Sequence, residues 1–221
     1  MKKTLFYQTI STEMKEVLAS LMQKPYLTDF HLVGGTALSL MRGHRQSVDI
    51  DLFNINRFGV NSIKENLEID FEEFELMQLS SLGLTCKING IKTDIYFWNE
   101  SLLNPVEEID GIRFVSDDDI FAMKLEAIIS RREKKDYIDL SELLSEYTLE
   151  WGINCHAKKF KNKDKRLVIN ALACIEEADD TFMPVMLKPL TWAEAQTNIQ
   201  QAVQEFLWLE KQRIKNKRLR T

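Results

Sequence analysis

Apolar side chains recur at helical spacing through Ile10, Met14, Val17, Leu18, Leu21 and Met22, and Pro25 ends the run, which predicts an amphipathic opening helix. Residues 30–33 form a short apolar strand running into Gly34 and Gly35, and the pattern turns helical over 37–41, so the glycines fall at a strand-to-helix turn. Over 48–53 apolar and acidic residues alternate. That is the period of a strand, with Asp49 and Asp51 on one face and Val48, Ile50 and Leu52 on the other. The runs 84–88 and 91–98 flank Asn89-Gly90, the strongest short hairpin signal, and place Asp94 on the second strand. A strand at 112–115 leads to Ser116, which with Asp119 makes a capping box for a helix over 120–132. Helices are expected again over 136–147, 167–178 and 192–209, the last two separated by a loop holding Pro184 and Pro189. Seven of the eight glycines lie at or before Gly111, so the turns belong to the first half and the second half is mostly helical.

Composition narrows the class. The 221 residues are 44% hydrophobic, enough for one large core or two small ones. No stretch approaches the roughly 20 apolar residues of a membrane span, and Met1 to Ser11 are polar, so the expectation is a cytoplasmic protein with no membrane partner. Cys86, Cys155 and Cys174 lie far apart without C-x-x-C spacing, which fits reduced, mostly buried thiols. A formal net charge of -5 argues against a surface that embraces nucleic acid all over. Basic residues nevertheless gather in the second half: Arg131, Arg132, Lys134 and Lys135; the stretch 158–166; and Lys211, Arg213, Lys215, Lys217, Arg218 and Arg220. Each cluster reads either as a nucleic-acid contact or as a solvated helix face or frayed end.

Aspartates two apart on a strand project together and repel unless a cation lies between them. Oxygen ligands of this kind suit Mg²⁺, which keeps waters and completes its shell with substrate phosphates. A bare D-x-D can equally be an edge strand showing acids to solvent. Three features raise the chemical alternative. Gly34 and Gly35 open a helix whose N–H groups can meet an anion such as a triphosphate. Asp94 is an acid in an otherwise apolar strand, where an unpartnered carboxylate would be costly, and it could complete a metal site. The thirteen residues between Gly35 and Asp49 suffice for a helix and a return as a neighbouring strand.

With those residues in place, FHLVGGTALSLMRGHRQSVDIDLF over 30–53 resembles the AbiEii/AbiGii toxin family of the nucleotidyltransferase superfamily. The superfamily pattern of glycine turn, spacer, D-x-D and a later aspartate is matched by Gly34, Gly35, Asp49, Asp51 and Asp94, and the AbiEii branch by Gly43-His44-Arg45 and by KLEAIISRREKKDYIDL over 124–140. The likeness extends over about residues 8–195. It implies an α/β (α+β) nucleotidyltransferase core with a mixed sheet over 1–115 and a helical domain over 116–221. It implies transfer of a nucleoside monophosphate from an NTP to an acceptor hydroxyl with Mg²⁺, or Mn²⁺ in its place, as the cofactor. The implied site has Asp49, Asp51, Asp94 and Asp136 as catalytic residues, the first three of them holding metal, and Gly34, Gly35, Thr36, Arg45, Ser47 and Lys124 at the nucleotide. The implied role is the toxin of a toxin–antitoxin or abortive-infection system, with RNA, transfer RNA among the candidates, as acceptor and an antitoxin protein as partner.

Many relatives carry serine after the first motif glycine. Here Gly35 stands in that position and Thr36 follows, so the phosphate is gripped by the Thr36 hydroxyl or by backbone N–H groups alone. A salt-bridge hinge of Arg131, Asp136 and Asp139 between helices competes with a functional role for Arg131 and Asp139. The acceptor proton goes to Asp94 or Asp136. A small-molecule, antibiotic-type nucleotidyltransferase and a non-catalytic nucleotide-binding interaction protein stay open as alternatives. Among the remaining candidates, His31 reads as packing or capping, His156 as surface, His44 as a phosphate contact or a turn residue, and Trp98, Trp151, Trp192 and Trp208 as packing.

Overall fold

The computed structural model describes residues 4–161 and 163–218, the last of them by its backbone alone. Arg220, the side chain of Arg218 and the first three residues of the polar 1–11 segment therefore lie outside the described residues. The chain divides into two units, Met1–Ile120 with Val185–Lys188, and Phe121–Pro184 with Pro189–Thr221.

The first unit is built on a mixed sheet. Its strands are β1 (His31–Leu32), β2 (Asp49–Asn54), β3 (Phe74–Ser80), β4 (Gly83–Ile88), β5 (Ile91–Phe97), β6 (Glu107–Ile109) and β7 (Ile112–Phe114). They lie in the order β3-β4-β5-β2-β1-β7-β6, with β2 parallel to β5 and β1 parallel to β7. The helices are α1 (Thr12–Gln23), α2 (Gly34–Arg42) and α3 (Val60–Asp70). Ser11 caps α1 by accepting the Met14 N–H at 3.1 Å, and the stripe Met14, Val17, Leu18, Leu21 and Met22 is buried as its spacing requires. Ile10 lies just before that helix. The β4–β5 hairpin turns through Asn89 and Gly90, both at positive φ (49° and 76°), the backbone of a two-residue I′ turn. Arg113 on β7 ties the sheet to α1: its guanidinium donates to the carbonyls of Phe30, Met22 and Leu27 at 3.0, 2.9 and 2.9 Å.

One sheet face is core. Ile50, Leu52, Leu84, Cys86, Ile88, Thr93 and Ile95 all point to it and none is more than 1% exposed. The alternate residues, Asp49, Asp51, Thr85, Lys92 and Asp94, make a half-buried polar face. Val48, expected to open β2 on the core side, lies outside the strand and is 72% exposed. The segment Val185–Lys188 joins this unit by pairing with the chain after α2, where the Leu187 and Lys188 N–H groups donate to the His44 carbonyl at 2.9 and 3.0 Å.

The second unit is helical. Helix α4 (Asp117–Arg131) starts in the first unit, where Ser116 accepts the Asp119 N–H at 3.2 Å, the N-cap half of the expected capping box, and donates its hydroxyl to the Asp119 carboxylate at 2.6 Å. It continues into the second, which adds α5 (Lys134–Leu144), α6 (Leu149–Lys159), α7 (Lys165–Ala173) and α8 (Trp192–Arg218). Gly152 lets α6 approach α4, since any Cβ there would collide with the Phe121 ring. Instead of fraying after 209, α8 runs on through the basic segment, anchored by Ala195, Ile199, Val203 and Phe206 and by ion pairs of Glu210 with Lys165 (2.8 Å) and Arg213 with Glu150 (2.6 Å).

Two expectations fail in this unit. His156 is not a surface residue: it is 1% exposed, on the stripe with Leu149, Ile153 and Phe160, and its Nε2 lies 3.0 Å from Glu126. Trp151 and Trp208 are not core residues, being 48% and 58% exposed, because each sits on the helix face turned away from the buried stripe. Trp98 and Trp192 do pack, on Phe53 and Tyr137.

Candidate active site

Parallel pairing of β2 with β5 sets the geometry. Asp51 is the register partner of Asp94, and Asp49 of Lys92. Register partners on neighbouring parallel strands point to the same face about 4.8 Å apart. Three carboxylates and one ammonium therefore share the polar face of two adjacent strands.

The glycine turn closes on the same face. Val33 follows β1, its N–H donating to the Asp51 carbonyl at 3.0 Å, and α2 begins at once with Gly34 at φ +71°. A Cβ on Gly34 would stand 2.5 Å from Asp51 Oδ2, so this position requires glycine both for its left-handed backbone and for the space. The first turn of a helix leaves N–H groups without intrahelical acceptors and carries the positive end of the macrodipole. Thr36, 1% exposed, uses its hydroxyl between Ser47 Oγ (2.8 Å) and the Asp49 carbonyl oxygen. Thr36 and Ser47 thus clamp the start of α2 to the start of β2. Gly43, at φ +70°, ends α2 as a left-handed cap with its N–H on the Ser39 carbonyl at 2.8 Å. His44 and Arg45 follow it and are 1% and 4% exposed, with Arg45 donating to the Gln46 carbonyl at 2.8 Å.

Lys92 is the counter-ion of the acidic face. Its Nζ lies 2.7 Å from Asp94 Oδ2, while the Thr85 hydroxyl donates to Asp94 Oδ1 at 2.5 Å. Burial alone would lower the Lys92 pKa. The hydrogen bond it donates to Asp94 and the charges of Asp49, Asp94 and Asp51 outweigh burial and hold it above the ordinary lysine value. Among the described residues no three His, Cys, Asp or Glu side chains are arranged to hold a metal ion; of these carboxylates Asp94 is paired with the Lys92 ammonium.

Lys124 and Asp136 lie in the second unit and there form a buried ion cluster. Lys124 Nζ stands 3.0 Å from Asp136 Oδ1 and 2.5 Å from Asp139 Oδ2, with the lysine 4% exposed and both carboxylates 0%. Arg131 adds a fork to Asp136, Nε to Oδ2 at 2.7 Å and Nη2 to Oδ1 at 2.9 Å. Burial pushes the Asp136 carboxyl up, but Lys124 and Arg131 together prevail and hold it below the usual carboxylate range.

The sequence signature of the nucleotidyl transferase AbiEii toxin family, described as a type IV toxin–antitoxin system, matches residues 16–82, which include the glycine turn and both aspartates of β2 but stop short of Asp94. The uncharacterized protein aq_aa25 of Aquifex aeolicus is 30% identical over 205 residues, covering 90% of this chain and 98% of its own. The chain belongs to the AbiEii nucleotidyl transferase toxin family. JHP933 of Helicobacter pylori shares the fold at a TM-score of 0.56 and 18% identity, over 96% of this chain and all of that one. So does the nucleotidyltransferase toxin MenT4 of Mycobacterium tuberculosis, at a TM-score of 0.50 and 14% identity, over 84% of this chain and 78% of its own. Among the described residues of this AbiEii-family chain no helix is long and apolar enough to cross a membrane.

Lys92 carries no signal in the sequence beyond its spacing of two from Asp94, which puts both on one face of a strand. A lysine beside a strand acid reads as solvated surface until the parallel neighbour is known.

Proposed function

We propose that this AbiEii-family protein transfers a nucleoside monophosphate from an NTP to an acceptor hydroxyl, releasing pyrophosphate. The pairing of Asp51 with Asp94, beside the Gly34 turn and with Asp49 on the same face, supports this most directly. The acceptor oxygen forms a bond to the α-phosphorus as the bond to the bridging oxygen breaks, and pyrophosphate leaves with that oxygen. The first turn of α2, at Gly34, Gly35 and Thr36, offers N–H groups to the triphosphate. Thr36 and Ser47 keep that turn aligned with β2. The donor set of the acidic face fits a hard divalent cation, because it is carboxylate oxygen alone and already draws a cation, Lys92. Asp49, Asp51 and Asp94 would hold Mg²⁺, or Mn²⁺ in its place, and when bound such an ion stabilises charge on phosphate oxygens and acidifies an acceptor hydroxyl.

Arg45, Lys124 and Asp136 enter from the family resemblance alone. Lys124 would bind a phosphate by exchanging one carboxylate partner for it, and the acceptor proton would pass to a carboxylate oxygen of Asp94 or of Asp136. RNA is the proposed acceptor and toxicity relieved by an antitoxin the proposed role, in keeping with the family. Incubation with each NTP labelled at the α-phosphate, Mg²⁺ and total RNA tests this. Label in RNA that disappears with Asp51→Ala is expected; label in small molecules would favour an antibiotic-type acceptor, and label in neither would overturn transfer.

A further inference from the structure

We infer that Lys92 is a built-in stand-in for the divalent cation, which holds the acidic face closed to metal alone and leaves it when a triphosphate arrives. The inference rests on the assignment of Asp49, Asp51 and Asp94 as the metal-holding set. Three geometric facts carry it. The ammonium is bonded to Asp94 at 2.7 Å and stands on the register partner of Asp49, on the face that also carries Asp51. Its side chain is 41% exposed on a flexible four-carbon stem, so the head can leave without disturbing the core. Thr85 holds the other Asp94 oxygen at 2.5 Å, which keeps that carboxylate in place when the lysine departs.

The physics then couples two ligands. A dication entering beside an ammonium meets like-charge repulsion at about 4 Å, so it must displace Lys92 from carboxylates that bind it well. The displaced ammonium needs a new anion, and a triphosphate on the α2 turn supplies phosphate oxygens on the same face. Metal and nucleotide therefore assist each other, and by linkage each raises the other's affinity by the same factor. Lys92→Met removes the charge and keeps the stem, which separates the two effects with opposite signs. Metal alone should bind tighter, and triphosphate on the metal-loaded protein should bind more weakly.

The test is calorimetric titration of nucleotide-free protein with Mn²⁺, comparing wild type with Lys92→Met and Lys92→Gln after thermal melting shows which variants are folded. The Mn²⁺ Kd should fall at least tenfold in either neutral variant, and Lys92→Arg should stay within threefold of wild type. Titration of inorganic triphosphate at saturating Mn²⁺ should show at least fivefold weaker binding to the neutral variants. An unchanged or raised Mn²⁺ Kd in Lys92→Met and Lys92→Gln overturns the inference. Adding Asp51→Ala to Lys92→Met separates this from the parent assignment. Tight Mn²⁺ binding that survives there would remove the aspartates as the metal site, whereas binding that needs Asp51 but ignores residue 92 would remove only the role of Lys92.

Discussion

Replacing Lys124 by Met should strip the helical unit of much of its stability. The ammonium lies within 3.0 Å of Asp136 and 2.5 Å of Asp139, and neither carboxylate has any exposed surface. Met preserves the length and packing of the stem while leaving two buried anions, one of which keeps the Arg131 fork. Removing one partner of a buried pair costs about 3–5 kcal/mol, a large share of the about 5–15 kcal/mol that keeps a domain folded. At about 2–4 °C per kcal/mol for chains of this size, the melting temperature should drop by about 6–20 °C. Circular dichroism melts at pH 7 read this, and Asp139→Asn added to Lys124→Met should return part of the loss by removing one of the two buried charges. Acid sensitivity gives a second readout. The folded Asp136 carboxyl is depressed, so its contribution is present above the ordinary carboxylate pKa and is lost as pH falls through the folded value. Lys124→Met should flatten that fall. A variant melting within about 2 °C of wild type would refute the reasoning, because the buried carboxylates would then not depend on the ammonium. Lys124→Arg keeps the charge, and a loss of NTP affinity in that folded variant would support the phosphate contact separately.

Asp49→Ala and Asp51→Ala should abolish nucleotide transfer with melting temperatures within a few degrees of wild type, since both side chains stand on the half-buried face and not in the core; full activity in either would remove the metal-site assignment. Gly34→Ala should cost about 1–2 kcal/mol for its left-handed backbone and lower the transfer rate further by pushing Asp51 Oδ2 from a Cβ 2.5 Å away; melts beside rates separate the two. Burial holds the His156 imidazole below its ordinary value despite the Glu126 hydrogen bond, so stability should be complete above about pH 6.5 and fall below it, with His156→Gln flattening the profile in melts between pH 7.5 and 5.5. If RNA is the acceptor, converting Lys211, Lys215 and Lys217 to Gln should lower the logarithmic salt slope of RNA binding by about 0.7 per lost contact and leave NTP affinity alone. Arg213 stays unchanged in that variant because Glu150 and Glu210 hold it.

What could be read beforehand followed from local pattern. Alternation on β2, Asn89-Gly90 between β4 and β5, the Gly34 turn and the Ser116 cap all state their structure within a few residues. The pairing of Asp51 with Asp94 does not, because strand order is set by non-local packing. Elements without a clean period escape as well. β3 lies at the sheet edge with Leu76, Met77 and Leu79 36%, 50% and 44% exposed, so burial imposes no alternation on it, and α3 and the three-residue β6 give equally thin signals. His156 is the opposite case. Its lysine neighbours suggest surface, yet spacing from Leu149 and Ile153 places it on the buried stripe, and periodicity outranks neighbouring charge.

Burial separates the two acidic clusters more sharply than position in the sequence does. Lys124, Arg131, Asp136 and Asp139 sum to zero formal charge, and their carboxylates are wholly buried. Asp49, Asp51 and Asp94 instead stand on a face that stays half open, with Asp94 18% exposed. Burial requires neutrality, because an uncompensated ion in a low-dielectric interior is far more costly than a paired one. The sheet cluster can hold three carboxylates because water reaches it, and folding gains nothing from gathering them there. On the reading proposed above, a dication would complete that face, and one that displaces Lys92 frees an ammonium for phosphate. On the same reading the half-open face of β2 and β5 is completed by ligands, whereas Lys124 and Arg131 already pair the buried carboxylates between α4 and α5.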